Sequence, residues 1–166
     1  MSITTRPAHI NDLPRLTEIY NHYVVNTSIS FDVDAATPEE RYDWLSQFAL
    51  SGPYRLLVAE ADGVLLGYAG STRARPRKAY DATIETTVYC APEAVGRGAG
   101  SALYTALFDA LEGEELHVAM AAIAVPNPPS VALHERFGFQ EVGRMREVGR
   151  KFGRYWDVVW YEKMLS

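Results

Sequence analysis

The run Val95-Gly96-Arg97-Gly98-Ala99-Gly100-Ser101 constrains this chain most, because of what stands on either side of it. Upstream, Ile84, Thr86, Val88 and Cys90 alternate with Glu85, Thr87 and Tyr89 over Asp81 to Ala91, the period of a strand. Downstream, Leu103, Leu107 and Leu111 recur every four residues over Ala102 to Leu111, the period of a helix packed on a sheet. Strand, glycine turn and helix in that order form an anion-binding arrangement. The glycines let backbone N–H groups converge and approach a ligand closely, and the helix N-terminus adds unpaired donors and partial positive charge. Gly96, Arg97, Gly98, Ala99, Gly100 and Ser101 are therefore read as a pyrophosphate cradle, against the plainer reading of a turn made only for tight packing. No Lys-Ser or Lys-Thr follows the glycines, and the full Gly-x-Gly-x-x-Gly spacing with a later acidic residue is missing, which argues against ATP and NAD.

The remaining segments supply the other parts of a mixed α/β (α+β) domain spanning residues 1–166. Asn11 or Asp12 is placed to cap a helix through about Val25, with Leu13, Leu16, Ile19, Tyr20 and Tyr23 at helical spacing. Thr37-Pro38-Glu39-Glu40 gives a capping box for a second helix carrying Trp44, Leu45 and Phe48. A polar loop with one aromatic, Phe31, lies between the two. Tyr54 to Ala61 and Val64 to Gly70 read as a hairpin closed by Asp62-Gly63. Leu116 to Val125 is a further strand, Ser130 to Phe137 a short helix stopped by Gly138, and Phe139 to Val148 and Tyr155 to Leu165 the last two strands.

At 166 residues the chain suits one domain with a single core, burying about two-thirds of its unfolded surface. A formal net charge of -5 offers little attraction to a phosphate backbone, so nucleic acid is not an expected partner. The single cysteine, Cys90, forms no internal disulfide and builds no thiolate cluster, so no metal is expected and a reducing compartment, the cytoplasm, is. No segment reaches the roughly 20 apolar residues that cross a bilayer, and the first residues lack the pattern of a secretory signal, so no membrane association is expected.

Three features carry chemistry on residue type alone. Glu85 is a carboxylate within a strand of apolar and hydroxyl residues, where desolvation raises its pKa toward that of a useful base; the alternative is a structural ion pair. Arg73 and Arg75, in the loop before that strand, are placed to grip a carboxylate or similar anion, the alternative being a solvated basic loop. A backbone N–H around Val88 to Cys90 can serve a developing oxyanion if the strand splays from its neighbour there. His9, His22 and His117 have no comparable context.

The chain resembles the GCN5-related N-acetyltransferases. Gly98 and Gly100 match the glycines of that family's pyrophosphate loop, with Val95 where the family usually has Gln or Arg and Arg97 as the remaining positive side chain. Asn127-Pro128-Pro129-Ser130-Val131-Ala132-Leu133-His134-Glu135-Arg136-Phe137-Gly138-Phe139 resembles its second segment. Ile19-Tyr20-Asn21-His22-Tyr23, Thr83 to Tyr89, Leu133-His134-Glu135 and Lys151-Phe152-Gly153-Arg154 are similar to the phosphinothricin and methionine sulfoximine acetyltransferase group. The resemblance implies a twisted mixed sheet of about six to seven strands flanked by about four helices, a bulge opening the strand after Glu85, and acetyl-CoA as co-substrate. It implies Glu85 as general base in direct transfer, His134 as proton donor to the departing thiolate or as a packing residue, and an inert Cys90. Asn127 would contact the pantetheine arm, and main-chain groups of Val88, Tyr89 and Cys90 the thioester. The acceptor implied is a small amino-acid-like amine, met by Phe31, Arg73, Arg75, Thr86 and Thr87, in a protein that is commonly a homodimer. Other acceptors, a protein N-terminus or an aminoglycoside, stay open, as does a non-catalytic acyl-CoA sensor.

Overall fold

The computed structural model describes residues 2–166. Its strands are β1 (Thr4–Pro7), β2 (Leu56–Ala61), β3 (Val64–Arg73), β4 (Thr83–Cys90), β5 (Val118–Val125), β6 (Gln140–Lys151) and β7 (Arg154–Met164). Four helices accompany them: α1 (Leu13–Asn26), α2 (Tyr42–Ser46), α3 (Ala99–Leu111) and α4 (Pro128–Arg136). The strands form one sheet in the order β1-β2-β3-β4-β5-β7-β6, antiparallel throughout except where β4 and β5 run parallel.

Alternation along the central strands divides the interior into two layers. Leu57, Ala59, Ala69 and Ile84 join Leu103, Tyr104, Leu107, Ala121, Ile123 and Leu133 on the face covered by α3 and α4. Leu56, Val58, Leu66 and Tyr68 join Leu16 and Ile19 on the face covered by α1, with Trp44, Leu45 and Phe48 of the α2 region packed against them. The two periodicities seen in the sequence thus place the helices on opposite faces of one sheet.

Local chemistry explains where elements start and stop. Asp62 and Gly63, at φ of 53° and 77°, make the tight turn expected between β2 and β3. The α4 stop is equally direct: Gly138 N–H donates to Glu135 O at 3.1 Å and Phe139 N–H to His134 O at 3.0 Å, satisfying the last carbonyls. The Thr37 capping box also forms, with Thr37 N–H to Glu40 and Glu40 N–H to Thr37 Oγ1 both at 3.2 Å. It closes only a turn, however, since Arg41 N–H is shared between Thr37 O and Pro38 O, and regular helix is confined to Tyr42–Ser46.

Two boundaries differ from expectation for a physical reason. Asp12 precedes α1 but its carboxylate does not cap it; it turns back to accept from His9 N–H at 2.8 Å and from the Arg6 fork at 2.9 Å. Arg6 also donates to Glu60 at 3.2 Å, and this pair of carboxylates pins the four-residue β1 to the edge beside β2, a strand too short for its own pattern to reveal. The bulge implied for the strand after Glu85 is absent from its pairing with β3, whose register runs unbroken from Gly67↔Cys90 to Arg73↔Ile84.

Leu107 of α3 is fully buried against the sheet. Leu107→Ala should lower unfolding free energy by about 2–5 kcal/mol, read as a lower urea midpoint with an unchanged slope.

Candidate active site

Parallel pairing between β4 and β5 lasts for three rungs, Thr83↔Val118, Ile84↔Ala119 and Glu85↔Met120, and then stops. Beyond it β4 continues with β3 while β5 continues with β7 to Val125↔Asp157, so the middle of the sheet opens into a slot. Ala91 N–H donates to Leu66 O at 2.8 Å, which fixes the alternation along β4. Tyr89, Thr87 and Glu85 turn their main-chain groups to β3, and Cys90, Val88 and Thr86 turn theirs toward the slot. The opening, rather than a bulge, frees the main chain of Val88 and Cys90. Tyr23 holds the far end through a hydrogen bond from its hydroxyl to Cys90 O.

A groove of about 630 Å³ runs through this opening. One wall is Thr86 to Cys90, the opposite wall Ala121 to Ala124 of β5, and its ends reach the glycine turn, Asn127 and the inner side of α4. The glycine turn has the backbone its sequence demands. Gly96 and Gly98 sit at φ of 82° and 88°, Gly98 is the residue from which α3 springs, and a Cβ at either would meet no neighbouring atom, so conformation and not space requires glycine there. The first N–H groups of α3 have no acceptor within the helix and open onto this end of the groove. Arg97 N–H is committed to Ala94 O at 3.2 Å, and Ser101 Oγ accepts from Arg136 at 3.1 Å. Val95, Gly96, Gly98, Ala99, Gly100, Ser101 and Asn127 all line the groove.

Glu85 occupies the last rung before the slot opens. Burial pushes its carboxyl above the ordinary value, and the positive charge of Arg75 pulls it partly back. Thr86 points to the α3 face, where its hydroxyl meets Tyr104, so Glu85 beside it projects to the face shared with α1. Register carries that face across the sheet from Glu85 to Met120, Ala122 and Trp160, and Ala122 is exposed although it lies on a central strand. Arg75 joins the same face, its guanidinium 5.6 Å from the Trp160 ring and its Nη1 donating to Ala74 O at 2.6 Å. Arg73 is placed differently: it pairs with Asp81 at 3.2 Å and donates to Pro76 O on the exposed loop. Phe31 reaches from the loop after α1 and rests on Gly149 of β6, while Ile29 of the same loop lines the groove.

His134 is buried, and both ring nitrogens are occupied. Its Nδ1 lies 2.7 Å from Ser130 O, an oxygen that only accepts, so Nδ1 carries the proton. Nε2 then accepts from the Tyr104 hydroxyl at 2.7 Å, and Tyr104 in turn accepts from Thr86 at 3.1 Å. Burial lowers the His134 pKa and the bond to Ser130 raises it less. Cys90 lines the groove, and burial pushes its thiol up to about 11, so it is neither a thiolate nor a nucleophile near neutral pH.

Sequence reasoning missed several residues that shape this site. Tyr104 was hidden within a leucine-spaced helix. Ala121, Ala122 and Ala124 read only as strand, yet their short side chains leave the slot wide. Arg41 is nearly fully buried, its guanidinium 3.9 Å from the Tyr20 ring and 4.0 Å from the Trp44 ring, and Tyr20 packs edge-on to Tyr89. Its place next to the cap residues gave no sign of that role.

The chain matches the family model described as an acetyltransferase (GNAT) domain over residues 6–160. It is 56% identical to a phosphinothricin N-acetyltransferase of Streptomyces coelicolor, over 98% of this chain and 96% of that protein. It is 36% identical to an L-methionine sulfoximine/L-methionine sulfone acetyltransferase of Pseudomonas paraeruginosa, over 100% and 96% of the two. A solved phosphinothricin acetyltransferase of Sinorhizobium meliloti in complex with acetyl-CoA superposes with a TM-score of 0.90 at 33% identity, covering 100% of this chain and 90% of that one.

The His134 network sets a pH dependence of stability. Its folded pKa lies below the unfolded value near 6.5, so as pH falls the unfolded chain takes the proton first. Stability is therefore full above that pH and declines below it. Urea unfolding at pH 8 and pH 5.5 should show a larger loss of stability in the wild type than in His134→Gln, which keeps an acceptor for Tyr104.

Proposed function

We infer the reaction from one premise: the chain belongs to the GNAT acetyltransferase family and is an acetyl-CoA-dependent N-acetyltransferase. The acceptor we propose is the α-amine of a small amino acid bearing a tetrahedral polar group, of the phosphinothricin or methionine sulfone type, with Glu85 as general base. One observation carries this reading. Glu85 stands at the rung where β4 and β5 part, on the face that also holds Arg75, so a base and a cation meet beside the slot.

The chemistry follows from that placement. The diphosphate of acetyl-CoA lies against the α3 N-terminus and the Gly96–Ser101 turn, and its pantetheine arm, with Asn127 beside it, follows the groove between β4 and β5. Main-chain N–H groups of Val88 and Cys90 face the slot, and one of them stabilises the oxyanion as the thioester carbonyl is attacked. The α-ammonium of a free amino acid is mostly protonated at neutral pH and must lose a proton to attack. Glu85 takes it, and its raised pKa makes it a stronger base than an exposed carboxylate. Nitrogen bonds to the acetyl carbon, the carbon–sulfur bond breaks, and coenzyme A leaves as a thiolate. A thiol pKa near 8.5 makes that departure feasible without an enzymic acid.

Arg75 is assigned to the acceptor's carboxylate or phosphinate, with Phe31 as a wall and Thr87 as a polar neighbour. Arg73, already paired with Asp81, is left to shape the loop. For His134 we assign positioning: its neutral ring holds Tyr104, and through it Thr86, at the groove wall, and no ring N–H faces the slot.

Release of free thiol from acetyl-CoA should be seen with L-phosphinothricin or L-methionine sulfone and not with an aminoglycoside or a peptide N-terminus. Glu85→Gln should lower kcat/KM about 10²-fold or more at pH 7, with the deficit narrowing as pH rises and the amine deprotonates unaided. An undiminished rate in that variant at every pH removes Glu85 from the role of base. Arg75 stabilises the Glu85 carboxylate, so Arg75→Ala should move the acid limb of the kcat/KM profile to higher pH as well as raise the acceptor KM.

A further inference from the structure

The turn Lys151-Phe152-Gly153-Arg154 and the bulged strand before it are unused by the reaction, yet they meet the loop after α1. Phe152 and Gly153, at φ of 54° and 70°, close the β6–β7 hairpin and set Lys151 opposite Arg154. Upstream, the register shifts between Met145 and Gly149, and Glu147 adopts φ of 52° with its N–H donating to Asp157 at 2.7 Å. Turn and bulge together place Gly149 opposite Trp156. Trp156, Val158 and Trp160 alternate onto one face of β7, which is the face of Ala122 and Glu85.

Two contacts hold the loop to this hairpin, and a third holds it to α1. Lys151 is buried, and its Nζ donates to Ser30 O at 2.7 Å. Tyr20 of α1 hydrogen-bonds Ser30 Oγ at 3.1 Å and donates to Asp32. Phe31 lies so close over Gly149 that a Cβ there would stand 2.2 Å from Phe31 Cε2 and 2.5 Å from Cζ. Nothing larger than glycine fits under the ring. An ammonium buried on a carbonyl 121 residues away ties two distant segments at the edge of the reactive face.

We propose that Gly149 and Lys151 are specificity-determining residues that seat Phe31, and so fix the size of the chamber receiving the acceptor's side chain. The proposal rests on the acceptor reading above. Gly149 admits the ring, Lys151 clamps the backbone one residue before it, and Ile29 on the same loop keeps its place at the groove. Neither residue is among those lining the groove assigned to acetyl-CoA, which they reach only through Ile29.

Gly149→Ala should therefore raise KM for L-methionine sulfone about tenfold or more while KM for acetyl-CoA stays within about twofold. Adding Phe31→Leu, which removes the overlapping ring atoms, should return the double variant toward the folding stability of the Phe31→Leu single variant. Lys151→Met, which keeps the stem and deletes the clamp, should speed amide deuterium exchange at residues 28–32 and leave residues 96–101 unchanged. That measurement needs no turnover. If the wild type acetylates none of the amines, the acceptor reading fails, and exchange still judges the seat. Equal changes in both KM values, an unaltered acceptor KM, or unaltered exchange at residues 28–32 overturns the proposal.

Discussion

The structure depends on a parallel pairing that is abandoned early. Two adjacent strands in the middle of a sheet normally stay paired along their length, because each unmatched main-chain group in the interior costs free energy comparable to a lost hydrogen bond. Here β4 and β5 separate after Glu85↔Met120, each kept straight by its other neighbour, β3 or β7. The residue alternation then directs the main-chain N–H and C=O of Val88 and the N–H of Cys90 into the opening, while Cys90 O is taken by the Tyr23 hydroxyl. A slot of that kind suits an extended ligand that can act as the missing strand, and the amide-bearing pantetheine arm is such a ligand. Short side chains at Ala121, Ala122 and Ala124 leave the opposite wall low enough for it.

The slot separates two kinds of chemistry on the two faces of the sheet. On the α3 and α4 face lie the glycine turn, the helix terminus and the Thr86–Tyr104–His134 chain, all neutral groups or backbone dipoles. The side-chain charges of Glu85 and Arg75 are on the other face, with the aromatic group around Tyr20, Tyr89 and Arg41 beyond them. A β-strand makes this division at no extra expense of sequence, because consecutive residues point to opposite sides. Glu85 and Thr86 are neighbours in the chain and serve different halves of the site. The buried His134 belongs to the neutral half: a charged imidazolium there would face aromatic rings and hydroxyls with no carboxylate among its hydrogen-bond partners.

Most of the fold could be read from the sequence wherever a pattern repeats within one element. The alternation of β4, the spacing of α3, the Asp62-Gly63 turn and the Gly138 stop each reflect a local rule, and each element lies where that rule puts it to within three residues. What escaped was set by partners far along the chain. β1 exists because Arg6 bonds Glu60 and Asp12, and four residues cannot show a period. The capping box at Thr37 did not reveal that regular α2 starts only after Arg41, whose guanidinium lies against the Tyr20 and Trp44 rings. In the site, the glycines and Glu85 were legible because their residue types are unusual in their positions. Tyr104 was not, since an aromatic in an apolar helix reads as packing until the partner of its hydroxyl is known.

The same distinction bears on how specificity is divided in such a protein. In the proposed reaction, acetyl-CoA is recognised by backbone groups presented by glycines and a helix end, which a change of side chain elsewhere scarcely alters. The acceptor side proposed above draws on four separate segments: the loop at Ile29 to Phe31, the loop at Arg75, the strand at Glu85 and the hairpin at Gly149 to Lys151. Their relative positions involve contacts such as Lys151 with Ser30, which lies outside the two hydrophobic clusters of the core. Substrate preference can therefore change through hairpin residues that need not touch the acceptor, while the acetyl donor remains the same. The physical reason, in the reaction proposed, is that the donor is held by the backbone of the sheet and α3, and the acceptor by a loop resting on one glycine.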